Sequence, residues 1–315
     1  MDFMTAYASK PCLMLDGPME TRIKFNSSLQ VDDEISIFTL VSKPEGRETL
    51  TKFYSEDVSI AKQFNLPVIL NAPTFRANPA HCERLGFKAE DIKRINTECV
   101  NFVEGIRSGF ADFKNNIFIM GPIGPRLAGY KPDYAFDLAF MTRFYCLQAD
   151  ALAETNVDII STVAMPSLVE ALGSAITIAN TGRPYSVGLI MTREGRLLDG
   201  TPFELAIDKI DNSTKIAPVF YVVSCTHPSI AEEALSKINS RLNRIKGIKA
   251  NGTKLPLKEL IQLEHPKVDE PSVFADEVVS LGQKYHLKIY GCCCGTDSRH
   301  IKALAARLKE GSKEA

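Results

Sequence analysis

The sequence predicts an α/β protein folded as one (β/α)8 TIM barrel, a single domain over residues 1–315. Three observations predict it. Eight short apolar runs bounded by turn residues are spread along the whole chain, stretches of helical periodicity separate most of them, and the length suits one closed barrel.

The runs, in order, are CLMLDG (12–17), PVILNA (67–72), NIFIMGP (116–122), VDIISTVA (157–164), YSVGLIM (185–191), VFYVVSC (219–225), RIKGIKAN (244–251) and KIYGCC (288–293). Each is short and mainly apolar, as expected of a parallel strand buried on both faces, with RIKGIKAN the most polar of them. Apolar residues three and four apart predict helices over 89–107, 135–154, 228–242 and 271–285, with DSRHIKALAARL (297–308) closing the chain. Two segments fit the repeat poorly. Residues 18–66 are long for one crossover, and 192–218 carry only a short helical pattern. The competing architecture is an open doubly wound sheet, but no G-x-G-x-x-G follows the first strand and no G-x-x-x-x-G-K-[ST] occurs. No repeat, low-complexity tract or compositional break divides the chain.

Charge narrows the function. With 37 Lys and Arg against 38 Asp and Glu, the net charge is -1, and no basic stripe marks a nucleic-acid or anionic-membrane surface. Small molecules are the expected partners. The start, MDFMTAYASKPCLML, has no basic residues leading into a long apolar run, and no stretch approaches about 18 apolar residues. A soluble cytoplasmic protein is expected, in which clustered cysteines serve metal or chemistry rather than disulfides; of the eight, Cys12, Cys82, Cys99 and Cys146 are scattered and Cys292, Cys293 and Cys294 are consecutive.

Working residues of such a barrel lie at the C-terminal ends of strands. Asp16 ends the first run, Asn71 the second and Asn251 the seventh, while Cys225 ends the sixth and Cys293 and Cys294 the eighth. Only one strand separates the sixth from the eighth, so these cysteines can face one point. Three thiolates hold Zn2+ at about 2.3 Å in a tetrahedron whose fourth position stays open, the pattern of a catalytic site. Successive strand residues point to opposite faces, so Cys293 and Cys294 can share a metal only if the strand breaks there, and Gly295 supplies the freedom to turn. Thr296 is then placed to cap the last helix. The plainer reading of a lone Cys225 is a small core residue, but three adjacent cysteines (292–294) serve no packing need. Asp16, Asn71, Asn251 and His227 each have structural alternatives as turn, backbone-bonding or capping residues. His81, His265, His286 and His300 show no ligand spacing.

These residues resemble the homocysteine S-methyltransferases over roughly 11–309. Cys-Cys-Gly-Thr at 293–296 is similar to that family's Gly-Gly-Cys-Cys-Gly-Thr, and Ser-Cys-Thr at 224–226 to its Asn-Cys-Thr. Leu-Asp-Gly (15–17), Asn-Ala-Pro-Thr-Phe (71–75), Gly-Pro-Ile-Gly-Pro (121–125), Asp-Gly-Thr (199–201) and Ala-Asn-Gly (250–252) add to the likeness. The resemblance implies a barrel with Cys225, Cys293 and Cys294 as zinc ligands, an acceptor thiol entering as the fourth, and methyl transfer to homocysteine. It also implies that Asp16, Gly17 and Met19 hold the amino-acid end of homocysteine, with Asn71 and Asn251 as further substrate-binding residues. The donor would be a small sulfonium such as S-methylmethionine or S-adenosylmethionine, or a separate corrinoid protein.

Two departures stand out. Where the family continues Asp-Gly-Gly-x-Gly-Thr-Glu, this chain reads Asp16-Gly17-Pro18-Met19-Glu20-Thr21-Arg22, losing two glycines and reversing a charge. Val163 occupies the place of the glutamate that grips the homocysteine ammonium; Glu20 and Glu170 are the residues offered to replace that charge. Two further readings follow: a family member with a changed acceptor or donor, or a zinc-binding barrel without catalysis.

Overall fold

In the computed structural model, which describes residues 1–260 and 262–311, all eight runs form strands. They are β1 Leu13–Leu15, β2 Val68–Asn71, β3 Ile117–Ile123, β4 Ile159–Met165, β5 Tyr185–Ile190, β6 Phe220–Thr226, β7 Ile245–Ala250 and β8 Ile289–Cys292. Every pairing is parallel and follows chain order, and β1 closes the ring on β8 through Leu13 opposite Ile289. The single barrel domain is as predicted.

The helices form the outer ring. Predicted helices reappear as Asp91–Gly109, Leu138–Ala153, Pro271–Tyr285 and Ser298–Gly311. Asp137 starts the second of these by accepting from Phe140 N (2.8 Å). The helix expected over 228–242 is shorter, Pro228–Leu235, because Ser236 ends it and Arg241 takes a left-handed conformation (φ 64°). The two poorly fitting segments are elaborations. Residues 18–66 hold the helices Met19–Asn26 and Pro44–Phe64, and 192–218 hold the helix Phe203–Ser213 after an antiparallel bridge between Arg196 and Pro202.

Alternation along the strands sends Leu13, Leu15, Ile69, Phe118, Met120, Ile159, Phe220 and Val222 into the lower barrel. An N-terminal helix, Phe3–Ser9, plugs that end: Phe3 meets the Phe118 ring edge-on at 5.7 Å, and Tyr7 stacks on Phe220 at 5.0 Å. The interior is therefore filled at the bottom and open only at the C-terminal mouth. No helix among the described residues is long and apolar enough to cross a membrane.

Candidate metal centre and substrate cavity

The cysteines meet because the backbone bends twice. Along β6, the register slips between Ser224 and Thr226, and Cys225 adopts φ 51°. A bulge of this kind re-aims one side chain, here the Cys225 thiol toward β8, and the left-handed conformation of a non-glycine residue costs about 1–3 kcal/mol. At β8 the strand stops at Cys292, and Gly295 (φ 87°) turns the chain. Cys293 N still reaches Ala250 O (2.7 Å), and Gly252 N donates to Cys294 O (3.0 Å), so the turn is tied to the end of β7. Thr296 does not cap the last helix. Its hydroxyl donates back to Cys293 O (2.6 Å), tightening the turn, and the carboxylate of Asp297 accepts Arg299 N at the helix start instead.

The Sγ atoms of Cys225, Cys293 and Cys294 all lie within 4.8 Å of one another; Cys225 to Cys293 is 3.1 Å and Cys293 to Cys294 is 3.9 Å. Four sulfurs about 2.3 Å from one tetrahedral ion lie about 3.8 Å apart, so this spacing fits a metal with little adjustment. An all-sulfur donor set suits Zn2+ and disfavours Mg2+ or Ca2+. Among the thiols, the S–H groups of Cys225 and Cys294 pull Cys293 well below the usual cysteine range, while those two are pushed up. Cys292 is buried behind the triad in the core, and that burial pushes its thiol up.

The triad forms part of the wall of a cavity of about 640 Å3 at the mouth, large enough for an amino-acid-sized thiol beside a small donor. Gly17, Met19 and Asn71 also line it; Asp16 and Asn251 lie one layer behind. Asp16 is fully buried and accepts both N–H groups of Asn71, the backbone one at 2.8 Å. Burial raises its carboxyl to about 7, against the pull of Lys249. Asn251 donates to Cys225 O (2.8 Å), bracing the bulge that aims the thiol. At Gly17 a Cβ would stand 2.5 Å from Ile301 Cδ1, so a side chain there requires Ile301 to shift.

The altered first loop is anchored from below. Arg22, reversed in charge from the family pattern, is buried and pairs with Asp57 (2.8 Å) and Glu56, with its guanidinium 4.3 Å from the Phe53 ring centre. Asp57 in turn accepts Gly17 N (2.9 Å). Val163 faces the cavity, and so does Glu20. Glu170 does not: it is buried, accepting Arg126 N (2.5 Å) and the Tyr145 hydroxyl (2.6 Å). His227 caps the helix Pro228–Leu235 by accepting Ser229 N at Nδ1 (3.2 Å), which leaves Nε2–H to donate to Asp269 (2.8 Å).

Three cavity residues escaped the sequence reading. Tyr130 lies within electrostatic reach of all three thiols, and its hydroxyl is pushed well up by burial and then by those sulfurs. Arg76 presents a buried Nε with no hydrogen-bond partner among the described residues. Lys249 projects from β7; burial lowers its pKa, but Asp16, Cys293 and other acidic neighbours outweigh that and raise it. A signal for Lys249 existed: it lies between Ile248 and Ala250, which pack outward, so alternation turns it inward, and a charged residue at the end of a buried strand invites a functional explanation.

A parallel barrel presenting three thiols at its C-terminal mouth defines a class, and the chain belongs to it: the homocysteine S-methyltransferase family, whose model matches residues 13–308. It is a methyltransferase by family. Among solved structures it is similar to the homocysteine methyltransferase MmuM from Escherichia coli. The metallated form matches at 18% identity and a TM-score of 0.75, covering 96% of this chain and 98% of that one. The oxidized form matches at 18% and 0.74, covering 95% and 97%. The apo form matches at 16% and 0.69, covering 95% and 97%. At these identities the likeness is one of fold. No curated protein sequence matches significantly.

Proposed function

We propose that the protein is a zinc-dependent thiol S-methyltransferase that moves a methyl group from a small sulfonium-type donor to homocysteine, in methionine formation within the cytoplasm. The observation that carries this reading is the thiol triad, with sulfurs within 4.8 Å of one another, beside a cavity of substrate size. Cys225, Cys293 and Cys294 would hold the ion. Bound there, Zn2+ would supply the one thing a free thiol of pKa near 8.5 lacks at neutral pH, a sulfur stripped of its proton. The residues of the chain do the rest. The Cys225 bulge and the Gly295 turn hold the ligand atoms on the cavity side, while Val163, Tyr130 and Met19 line the wall where donor and acceptor meet. In the transfer, the acceptor sulfur loses its proton and takes the methyl group, and the donor leaves as a neutral thioether. Asp16, Gly17, Met19, Asn71 and Asn251 are proposed to shape the acceptor end, Asp16 and Asn251 by supporting Asn71 and Cys225 respectively.

Zinc content and methyl transfer, measured together in wild type and Cys225→Ser, test the reading. The expected result is stoichiometric zinc in the wild type, weakened zinc binding in the variant and loss of its transfer activity. Full activity without metal overturns it. Val163 and the rebuilt 16–22 loop favour a second reading, a changed acceptor. A panel of thiols separates the two, since homocysteine reacting no faster than simple alkyl thiols leaves only the second.

A further inference from the structure

We propose that Lys249 selects the acceptor, by receiving an anionic group carried on the same molecule as the reacting thiol; this rests on the thiol methyltransferase reading above. The ammonium of Lys249 stands in the cavity wall within electrostatic reach of Cys225 and Cys293. Among the described residues it makes no hydrogen bond and no ion pair. Asp16, the carboxyl that raises its pKa most, is already occupied, with both carboxylate oxygens accepting from Asn71. A partly enclosed cation with three N–H donors thus lines the same cavity as the thiol triad. A cation taken out of bulk water and left without an acceptor is unfavourable, and a carboxylate on the ligand relieves this with a charge-assisted hydrogen bond.

Glu20 lines the same cavity within electrostatic reach of Lys249, whereas Val163 presents hydrocarbon and Glu170 is consumed by Tyr145 and Arg126. The acceptor class that fits Lys249 is a short carboxylate-bearing thiol, homocysteine included. Simple neutralisation of the thiol triad is the competing role for Lys249. It differs in consequence, because neutralisation would affect every thiol alike.

The test compares 4-mercaptobutyrate with the neutral 4-mercapto-1-butanol. In the wild type, kcat/KM for the acid is expected to exceed that for the alcohol by about 10- to 100-fold, the worth of one hydrogen bond to a charged group. Lys249→Met collapses that ratio, and Lys249→Arg restores much of it. A second readout needs neither metal nor turnover: calorimetric binding of 4-(methylthio)butyrate to metal-free protein should weaken by a similar factor in Lys249→Met. A wild-type ratio near one overturns the proposal even if the variants do not fold, as does equal loss on acid and alcohol. Should no thiol be methylated at all, the methyltransferase reading fails, while the binding measurement still decides the role of Lys249.

Discussion

The β6–β8 wall of the barrel mouth and the β1–β2 wall face the same cavity but are held in place by different means. On the first, three sulfurs converge because the backbone is bent under them, at the Cys225 bulge and the Gly295 turn, with a local bond from Thr296 and one from the neighbouring strand end at Asn251 bracing the bends. On the second, Asp16 and Asn71 hold each other across 55 residues, and Gly17 is held by Asp57, which Arg22 pairs in turn. The first wall keeps the family's motif; the second departs from it in the 16–22 loop. The difference teaches that reactive atoms here are aimed by short motifs, whereas the surface that shapes the substrate is held by long-range contacts and can be rebuilt without disturbing them.

The comparison can be broken most severely at Arg22. Replacing it with Met leaves Asp57 buried without its cation, and urea denaturation should show a loss of about 3–5 kcal/mol, of which Arg22→Met/Asp57→Asn recovers a substantial part. Zinc binding at the opposite wall should change little. Strong zinc loss in folded Arg22→Met would show that the walls are not separable.

A smaller effect is expected from Asn251→Leu, which removes the brace on the Cys225 carbonyl. Zinc affinity, measured by competition with a chelator, should fall about 10- to 100-fold, as for other groups that orient metal ligands, with global stability lowered by about 1–2 kcal/mol. Unchanged affinity would mean the bulge holds itself.

The third effect lies on the β1–β2 side and is pH-dependent. Burial raises the Asp16 carboxyl to about 7, so from about pH 4 to about pH 7 the folded chain keeps a proton that the unfolded chain has lost. Stability contributed by the neutral form is present below that window and is lost as pH rises through it. Urea midpoints across the window should therefore decline with pH in wild type by an amount that Asp16→Asn removes, on the order of 1–3 kcal/mol. Parallel pH profiles for the two proteins would place the Asp16 titration elsewhere.

Much of this was readable in advance, for identifiable reasons. All eight strands were legible because a strand buried on both faces is mainly apolar and bounded by turn residues, and Cys293-Cys294-Gly295-Thr296 was legible because a turn and its ligands are contiguous. The helix after β6 was overextended because Ile238 and Leu242 continue the apolar spacing beyond the true stop at Leu235. The helix Phe3–Ser9 went unrecognised, since seven residues carry too little periodicity to show that Phe3 would plug a barrel.

The sequence by itself determined the barrel and its strand order, the position of the cysteines at two strand ends and the departure at Val163, because each depends on local pattern and spacing. Only the tertiary structure decided that Cys225 turns toward Cys293, that Arg22 disappears beneath the first loop onto Asp57, that Glu170 is spent elsewhere and that Lys249 lines the cavity with no hydrogen-bond or ion-pair partner among the described residues. Those outcomes depend on which charges and hydrogen-bonding groups are brought together across tens of residues, and a buried polar group is defined by its neighbours in space rather than by those in the chain.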